Sequence, residues 1–486
     1  MSYYFKRINL KSWFLTCLIS LFGINSSFTQ SYPFELPDSI IASISVNTKI
    51  HEPFNNKLLS VNIDWPAKYY KKEGYNHPQA QAFIKEFNPV SIRWPQGVWA
   101  NFYDWEVDGR RRYDDNNNRE FIEAIEKHPE LEYGFDGFKK LHDELNFDVL
   151  WTFNLNYDSI DKTINRLRDR EAKGFNISHI ELGNEQFWKS QTGSRTNTAE
   201  KYTEVAQSIS QALKAEKSTL KLGIPLSWRR GADGSSFNHD DYNKTLTADT
   251  SYFDAIIVHR YVHLDRGEPI VSDASYQEIL TSRVQLQKDV NYCRSFAPNK
   301  PVWLSEWGVS CGKYAASYLG MADAYLYLFE NQDVYEYANW FQINGTNIFF
   351  NTKQSATGEF NYTTTGFGAV YEILRDVFQN STLLETKIST HQLVPDSDAL
   401  ISRAVVKDEK IIVFAVNKTS QSVPLKLKFN NKIYKKSFKH ESLKFKNLEE
   451  DRTFEFNTIP LIEEKYKGKT IILPPYSINK ISNLKI

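Results

Sequence analysis

The chain has 486 residues, and its 59 lysines and arginines are balanced by 59 aspartates and glutamates. Balanced charge argues against a general nucleic-acid binder, which carries a basic excess. The length exceeds what one hydrophobic core fills, so a large domain with a smaller companion is expected.

In chain order, Lys6, Arg7 and Lys11 precede an apolar run from Trp13 to Ile24, followed by Ser26, Ser27 and Thr29. Basic, then apolar, then small is the order of an export signal over residues 1–30, so a secreted or periplasmic protein is expected. The run is short for a bilayer span and no later segment suits one. Cys17, inside the run after Thr16, leaves a lipid anchor as the alternative. Without the signal, Cys293 and Cys311 remain, either paired or as free buried thiols. No metal-ligand spacing accompanies them, and neither metal nor cofactor is expected.

Residues 31–54 contain the strand-like stretch Glu35–Ile50, read as a segment that pairs with a later sheet. From 55 to 382, short β-rich runs alternate with helical patterns. Eight strands are predicted: Leu58–Ile63, Val90–Trp94, Asp148–Asn154, Ser178–Asn184, Leu220–Pro225, Ala255–Tyr261, Val302–Glu306 and Tyr337–Ile343. Apolar residues three and four apart predict helices over Ala199–Lys214, Tyr276–Phe296 and Tyr314–Phe329. Eight β/α units point to a closed (β/α)8 TIM barrel, whose chemistry sits at the C-terminal strand ends. The polar run Asp114–Asn118 lacks the glycine and terminal glutamate of a calcium loop and reads as a solvated insertion. Beyond 383 the period becomes that of strands, as in Ala404–Val416, Val423–Phe429 and Thr470–Leu473, and an antiparallel β-sandwich is expected over Leu383–Ile486.

Predicted strand four ends Ile180-Glu181-Leu182-Gly183-Asn184-Glu185, and strand seven ends Trp303-Leu304-Ser305-Glu306-Trp307-Gly308. Two glutamates at strand ends on one barrel face meet the need of glycoside hydrolysis with retention. One carboxyl donates a proton to the leaving oxygen while the other attacks the anomeric carbon. Close carboxyls also push each other's pKa values apart, which divides the roles.

These positions resemble glycoside hydrolase clan A, over roughly residues 55–380. The resemblance implies Glu185 as acid/base after strand four and Glu306 as nucleophile after strand seven. Arg93-Trp94-Pro95-Gln96-Gly97, Tyr103-Asp104-Trp105 and His259-Arg260-Tyr261 are similar to segments of family 51 α-L-arabinofuranosidases and related families. By that likeness Arg93 steadies the nucleophile, Tyr261 contacts it, His259 lies in the site, and Asn184 bonds the sugar 2-hydroxyl. Trp340 on strand eight reads either as a sugar platform or as core. Three departures, Gln96, Ser305 and Gln186, touch the family and the sugar rather than the clan. The tail Leu473–Ser477 resembles the last sandwich strand of several clan A families.

The expected function is a retaining hydrolase of plant or algal polysaccharide, α-L-arabinofuranosidase-like. A β-glycosidase or endo-hydrolase of a galactan, sulfated or not, is the alternative. A catalytically silent carbohydrate-binding barrel is the reading from another class. Arg110–Arg112, Arg229, Arg230 and Arg260 follow or lie on barrel strands. They read either as grips for an anionic sugar or as solvated and paired loop arginines.

Overall fold

The computed structural model describes residues 32–63, 78–110, 134–232, 234–263, 272–309, 312–343, 348–354, 360–455, 461–467 and 470–484. The expected export signal, Asp114–Asn118, Arg111, Arg112 and Cys311 lie outside them, as does the Arg110 side chain. Cys293 is buried. Among the described residues no helix is long and apolar enough to cross a membrane.

Eight parallel strands close into a barrel: Ser60–Asn62, Ser91–Trp94, Asp148–Phe153, His179–Leu182, Lys221–Leu226, Ala255–Val262, Val302–Val309 and Tyr335–Trp340. Each falls on a predicted strand. Side chains alternate between barrel lumen and helix layer. Leu150, Ala255, Ile257, Trp303 and Tyr337 pack as a plug low in the lumen. Neighbouring residues such as Ile256, Val258, Leu304 and Ala338 face outward into the main core. The residues carried above the plug therefore form the upper lumen, where the polar side chains collect.

Two predicted elements differ in detail. The helix expected over Tyr276–Phe296 is two helices, Asp273–Leu280 and Ser282–Arg294, broken at Thr281. There the chain meets the next helix at Gly320, where an added Cβ would lie 2.6 Å from the Ile279 carbonyl and Ser282 Oγ donates to the Gly320 carbonyl. The alternating stretch Ala404–Val416 is a hairpin of Leu400–Lys407 and Lys410–Asn417. Its two-residue turn, Asp408–Glu409, has φ of +48° and +61°, the left-handed pair a type I′ turn needs.

After the barrel comes a ten-stranded, mostly antiparallel sheet. Ala42–Pro53 joins it, antiparallel to Thr382–Ser389 and parallel to Val423–Phe429. The two layers expected of a sandwich belong to one curled sheet. Val413 and Ala415 share a core with Leu425 and Leu427, several strands away in the sheet order. The alternate residues Ile412, Phe414 and Val416 pack into the barrel's outer core. Helix Ala315–Glu330 lies between barrel and sheet and is buried from Ala315 to Phe329. Lys418, fully buried, reaches Asp323 of that helix at 3.5 Å and Ser397 Oγ at 2.9 Å, tying sheet to barrel through a buried charge.

Candidate active site

Strand four ends its β geometry at Leu182, and the chain turns through Gly183 at φ +85°. A Cβ there would lie 1.9 Å from the Gln186 amide, so the turn requires glycine. Glu185 is itself left-handed at φ +46°, an unusual conformation for a glutamate, which swings its carboxyl over the lumen. Opposite, strand seven loses register with strand six between Trp303 and Glu306. Such an irregularity re-aims side chains. Ser305 and Glu306, adjacent in sequence, both reach the lumen side, while Trp307 packs outward against Tyr325.

The two carboxyls meet. Glu185, His259 and Glu306 each present one atom such that all three lie within 4.8 Å of one another. Tyr261 donates from its hydroxyl to Glu306 Oε1 at 2.7 Å, and Arg93 donates to Glu306 Oε2 at 3.0 Å. Arg93 is fully buried and also donates to Glu181 at 2.6 Å and to Asn184 Oδ1 at 2.6 Å. Burial alone would lower the Arg93 pKa, but the Glu181 and Glu306 carboxylates raise it above its ordinary value. Burial, then Glu306, push Tyr261 well up, so it stays a neutral donor. Glu306 thus has a cation on one oxygen and a phenol on the other.

Glu185 has different company. Its Oε1 lies 3.0 Å from His259 Nδ1, and its Oε2 accepts from Gln191 at 2.7 Å. Burial pushes this carboxyl up, but the hydrogen bond and charge of His259, the Gln191 amide and Arg93 together hold it below the ordinary carboxylate value. His259 Nε2 lies 3.2 Å from Ser305 Oγ. Asn184 is buried; its Nδ2 donates to Gln191 Oε1 at 2.7 Å, leaving one N–H for a sugar hydroxyl.

The predicted residues Glu185, Glu306, Arg93, Asn184, His259 and Tyr261 therefore converge. Trp340 does not. It is fully buried on the outer side of strand eight, 4.9 Å from Trp307 and packed against Phe367. The inward series on this strand is Tyr337, Asn339, Phe341, so a platform at 340 has the wrong parity. Phe341 is partly exposed and sits edge-on to Tyr261 at 5.6 Å. Arg260 also faces outward, held by Asp289 at 2.7 Å and stacked on Trp228, which corrects its reading as an anion grip.

Sequence reasoning missed Glu181, Asn62, Asn101 and Gln191. Asn62 donates to the Ser305 carbonyl at 2.9 Å, and Asn101 accepts the Asn184 N–H at 2.9 Å. Glu181 carried a usable signal: a carboxylate of lumen parity in an apolar strand demands a buried partner, which Arg93 supplies. Gln191, six residues beyond Glu185 in a short 3-10 turn, carried none.

Among the described residues, Glu185, His259 and Glu306 form the grouping whose spacing also fits a metal ion. The donor set fits one poorly, because the Arg93 guanidinium already lies on Glu306 and would repel a second cation.

The fold has many solved counterparts. The chain superposes on the family 51 arabinofuranosidase of Xanthomonas axonopodis pv. citri with a TM-score of 0.70 at 14% identity, covering 91% of this chain and 100% of that one. The α-L-arabinofuranosidase of Thermotoga maritima gives 0.70 at 15%, covering 91% and 99%. A family 44 xyloglucanase of Paenibacillus polymyxa gives 0.61 at 12%, covering 91% and 99%. At such identities the likeness carries the architecture, a parallel barrel with an appended sheet, and nothing finer. No protein-family model matches the chain, and no curated protein sequence does.

Proposed function

We propose that the protein is a retaining glycoside hydrolase, α-L-arabinofuranosidase-like, acting on plant or algal polysaccharide. The observation that carries this reading is that one carboxylate oxygen of Glu185 lies within 4.8 Å of one of Glu306, while the two carboxyls keep different sets of partners. Double displacement uses carboxyls about 5–5.5 Å apart, whereas inversion needs about 6.5–9.5 Å to admit a water. A silent binding barrel has no need of Arg93 and Tyr261 on one carboxyl and His259 and Gln191 on the other.

In the first step Glu306 attacks the anomeric carbon, an ester bond forms, and the glycosidic C–O bond breaks. The proton of Glu185 passes to the departing oxygen. In the second step Glu185 takes a proton from water, whose oxygen attacks the same carbon and releases Glu306. His259 and Gln191 each hold one oxygen of the Glu185 carboxyl and fix its orientation, while Ser305 Oγ, 3.2 Å from His259 Nε2, steadies the ring. Tyr261 and Arg93 hold Glu306 in line and neutralise it as it leaves.

The N-terminal sequence supports export. Proton NMR of the first sugar released from an aryl furanoside or pyranoside panel tests the reading. The expected product keeps the anomeric configuration of the substrate; initial release of the opposite anomer refutes double displacement.

A further inference from the structure

The amides beside Glu185 run in one direction, set by groups that cannot reverse. Asn101 Oδ1 accepts the Asn184 N–H at 2.9 Å, and its Nδ2 donates to the Asn184 carbonyl. A main-chain N–H cannot accept and a carbonyl cannot donate, so the Asn101 amide has one orientation. Its second Nδ2–H meets Gln191 Oε1 at 3.1 Å. Another route ends on the same oxygen. The Arg93 guanidinium, which can only donate, holds Asn184 Oδ1 at 2.6 Å, and this turns Asn184 Nδ2 onto Gln191 Oε1 at 2.7 Å. With two donors on its oxygen, Gln191 must present its nitrogen to Glu185, and Nε2 donates to Oε2 at 2.7 Å. The backbone of Gln191 is held as well: its N–H donates to the Trp188 carbonyl at 2.9 Å, and Asn156 Nδ2 donates to its carbonyl at 3.0 Å.

A hydroxyl can change from donor to acceptor when its neighbour gains a proton, but this amide cannot. It favours the carboxylate of Glu185 over the acid in both protonation states. Burial pushes the Glu185 carboxyl up, and His259, Gln191 and Arg93 together hold it below its ordinary value. The charged and titratable groups around it come from three other strands. His259 Nδ1 on strand six lies 3.0 Å from Oε1, Glu306 on strand seven approaches within 4.8 Å, and Arg93 on strand two acts through its charge. Tyr261 and Glu181 reach the same group at one remove, through Glu306 and Arg93.

We propose that Gln191 is the positioning residue that sets the acid strength of Glu185, through an amide whose donating end is fixed toward the carboxyl by the main chain of Asn184 and by Arg93. The locked donor makes Glu185 a stronger acid in the first step and a weaker base in the second. The inference rests on the glycosidase reading for those two roles, but the proton affinity of Glu185 is measured without substrate.

Gln191→Glu keeps the oxygen that receives Asn101 and Asn184 and replaces the donor to Glu185 by a second carboxylate oxygen. Gln191→Met removes the donor without adding charge. The experiment follows both variants and wild type by carbon-13 NMR of protein labelled at the glutamate carboxyl carbons, with the signal of residue 185 identified by its loss in Glu185→Gln. Glu185 of wild type is expected to titrate below the ordinary glutamate value. In Gln191→Glu two carboxyls share a proton, so the pair should take it up at least about one pH unit higher than Glu185 does in wild type. Gln191→Met should move in the same direction by less. The basic limb of kcat/KM on an aryl glycoside should follow each shift, because that limb reports the acid of the free enzyme. A purely structural glutamine would lower kcat at every pH and leave titration and limb in place. A residue-185 titration unmoved in folded Gln191→Glu protein, or moved downward in Gln191→Met, overturns the proposal. Wild-type protein that turns over no aryl glycoside sinks the hydrolase reading alone, since the carboxyl titration still decides the role of Gln191.

Discussion

Replacing Arg93 by methionine keeps the aliphatic bulk and removes the guanidinium that touches Glu181, Asn184 and Glu306 together. Three bonds of 2.6, 3.0 and 2.6 Å disappear, and two carboxylates lose their shared cation. Taken singly, hydrogen bonds to charged groups contribute roughly 1.5–3 kcal/mol each, but three from one group do not add. Breaking a buried ion pair costs about 3–5 kcal/mol, chiefly for the charge left behind. Against a total of roughly 5–15 kcal/mol, the variant should fold but melt early. Activity should fall further, by about 10²-fold in kcat/KM, the scale for losing one preorganised donor at a reacting oxygen. Urea unfolding and aryl-glycoside kinetics measure the two losses. Adding Glu181→Gln removes the stranded charge, so the double variant should regain part of the stability and none of the activity. An Arg93→Met protein within about 1 kcal/mol of wild type, or no recovery from Glu181→Gln, would refute the buried-charge argument.

Glu185→Ala should lose roughly 10²–10⁴-fold on natural glycosides and far less on aryl glycosides with good leaving groups, with azide restoring part of the latter. Equal losses on both substrates would count against an acid/base role. Phe341→Ala should raise KM several-fold with little change in melting temperature. Trp340→Ala should instead cost about 3–5 kcal/mol of stability, because its indole lies wholly in the core. Burial, then the like charge of Glu86, push the Glu372 carboxyl up to about 7. The folded protein thus keeps a proton that the unfolded chain releases, and stability falls as pH rises from about 4.5 to 7. Glu372→Gln should match wild type near pH 4 and be more stable by about 2–3 kcal/mol at pH 8, as read by urea titration at each pH. A constant difference across pH would place the effect elsewhere.

The barrel was legible because each strand is a short apolar run ending where polar residues begin, and the two glutamates lie at such ends. Strand parity was readable as well, and it places Trp340 outward and Phe341 inward. An aromatic pair at a strand end hides which ring faces the site until the neighbouring plug, Tyr337, fixes the phase. The loop partners were hidden for another reason. Gln191 reaches Glu185 only because a left-handed glutamate and a tight 3-10 turn fold six residues back on themselves. Nothing in the spacing of a lone glutamine announces that path. The break at Thr281 belongs to the same class, since it follows from a close approach to Gly320 on a helix far along the chain.

The central claim is that Glu306 carries the sugar covalently. A 2-deoxy-2-fluoro glycoside with a good leaving group slows both steps, the second more than the first, so the intermediate accumulates. Incubation followed by intact-mass measurement and peptide mapping should show one added fluorosugar, esterified to Glu306, and no adduct on Glu306→Gln protein. An adduct on any other residue, or turnover of the matching natural glycoside with no trapped intermediate, would contradict the assignment.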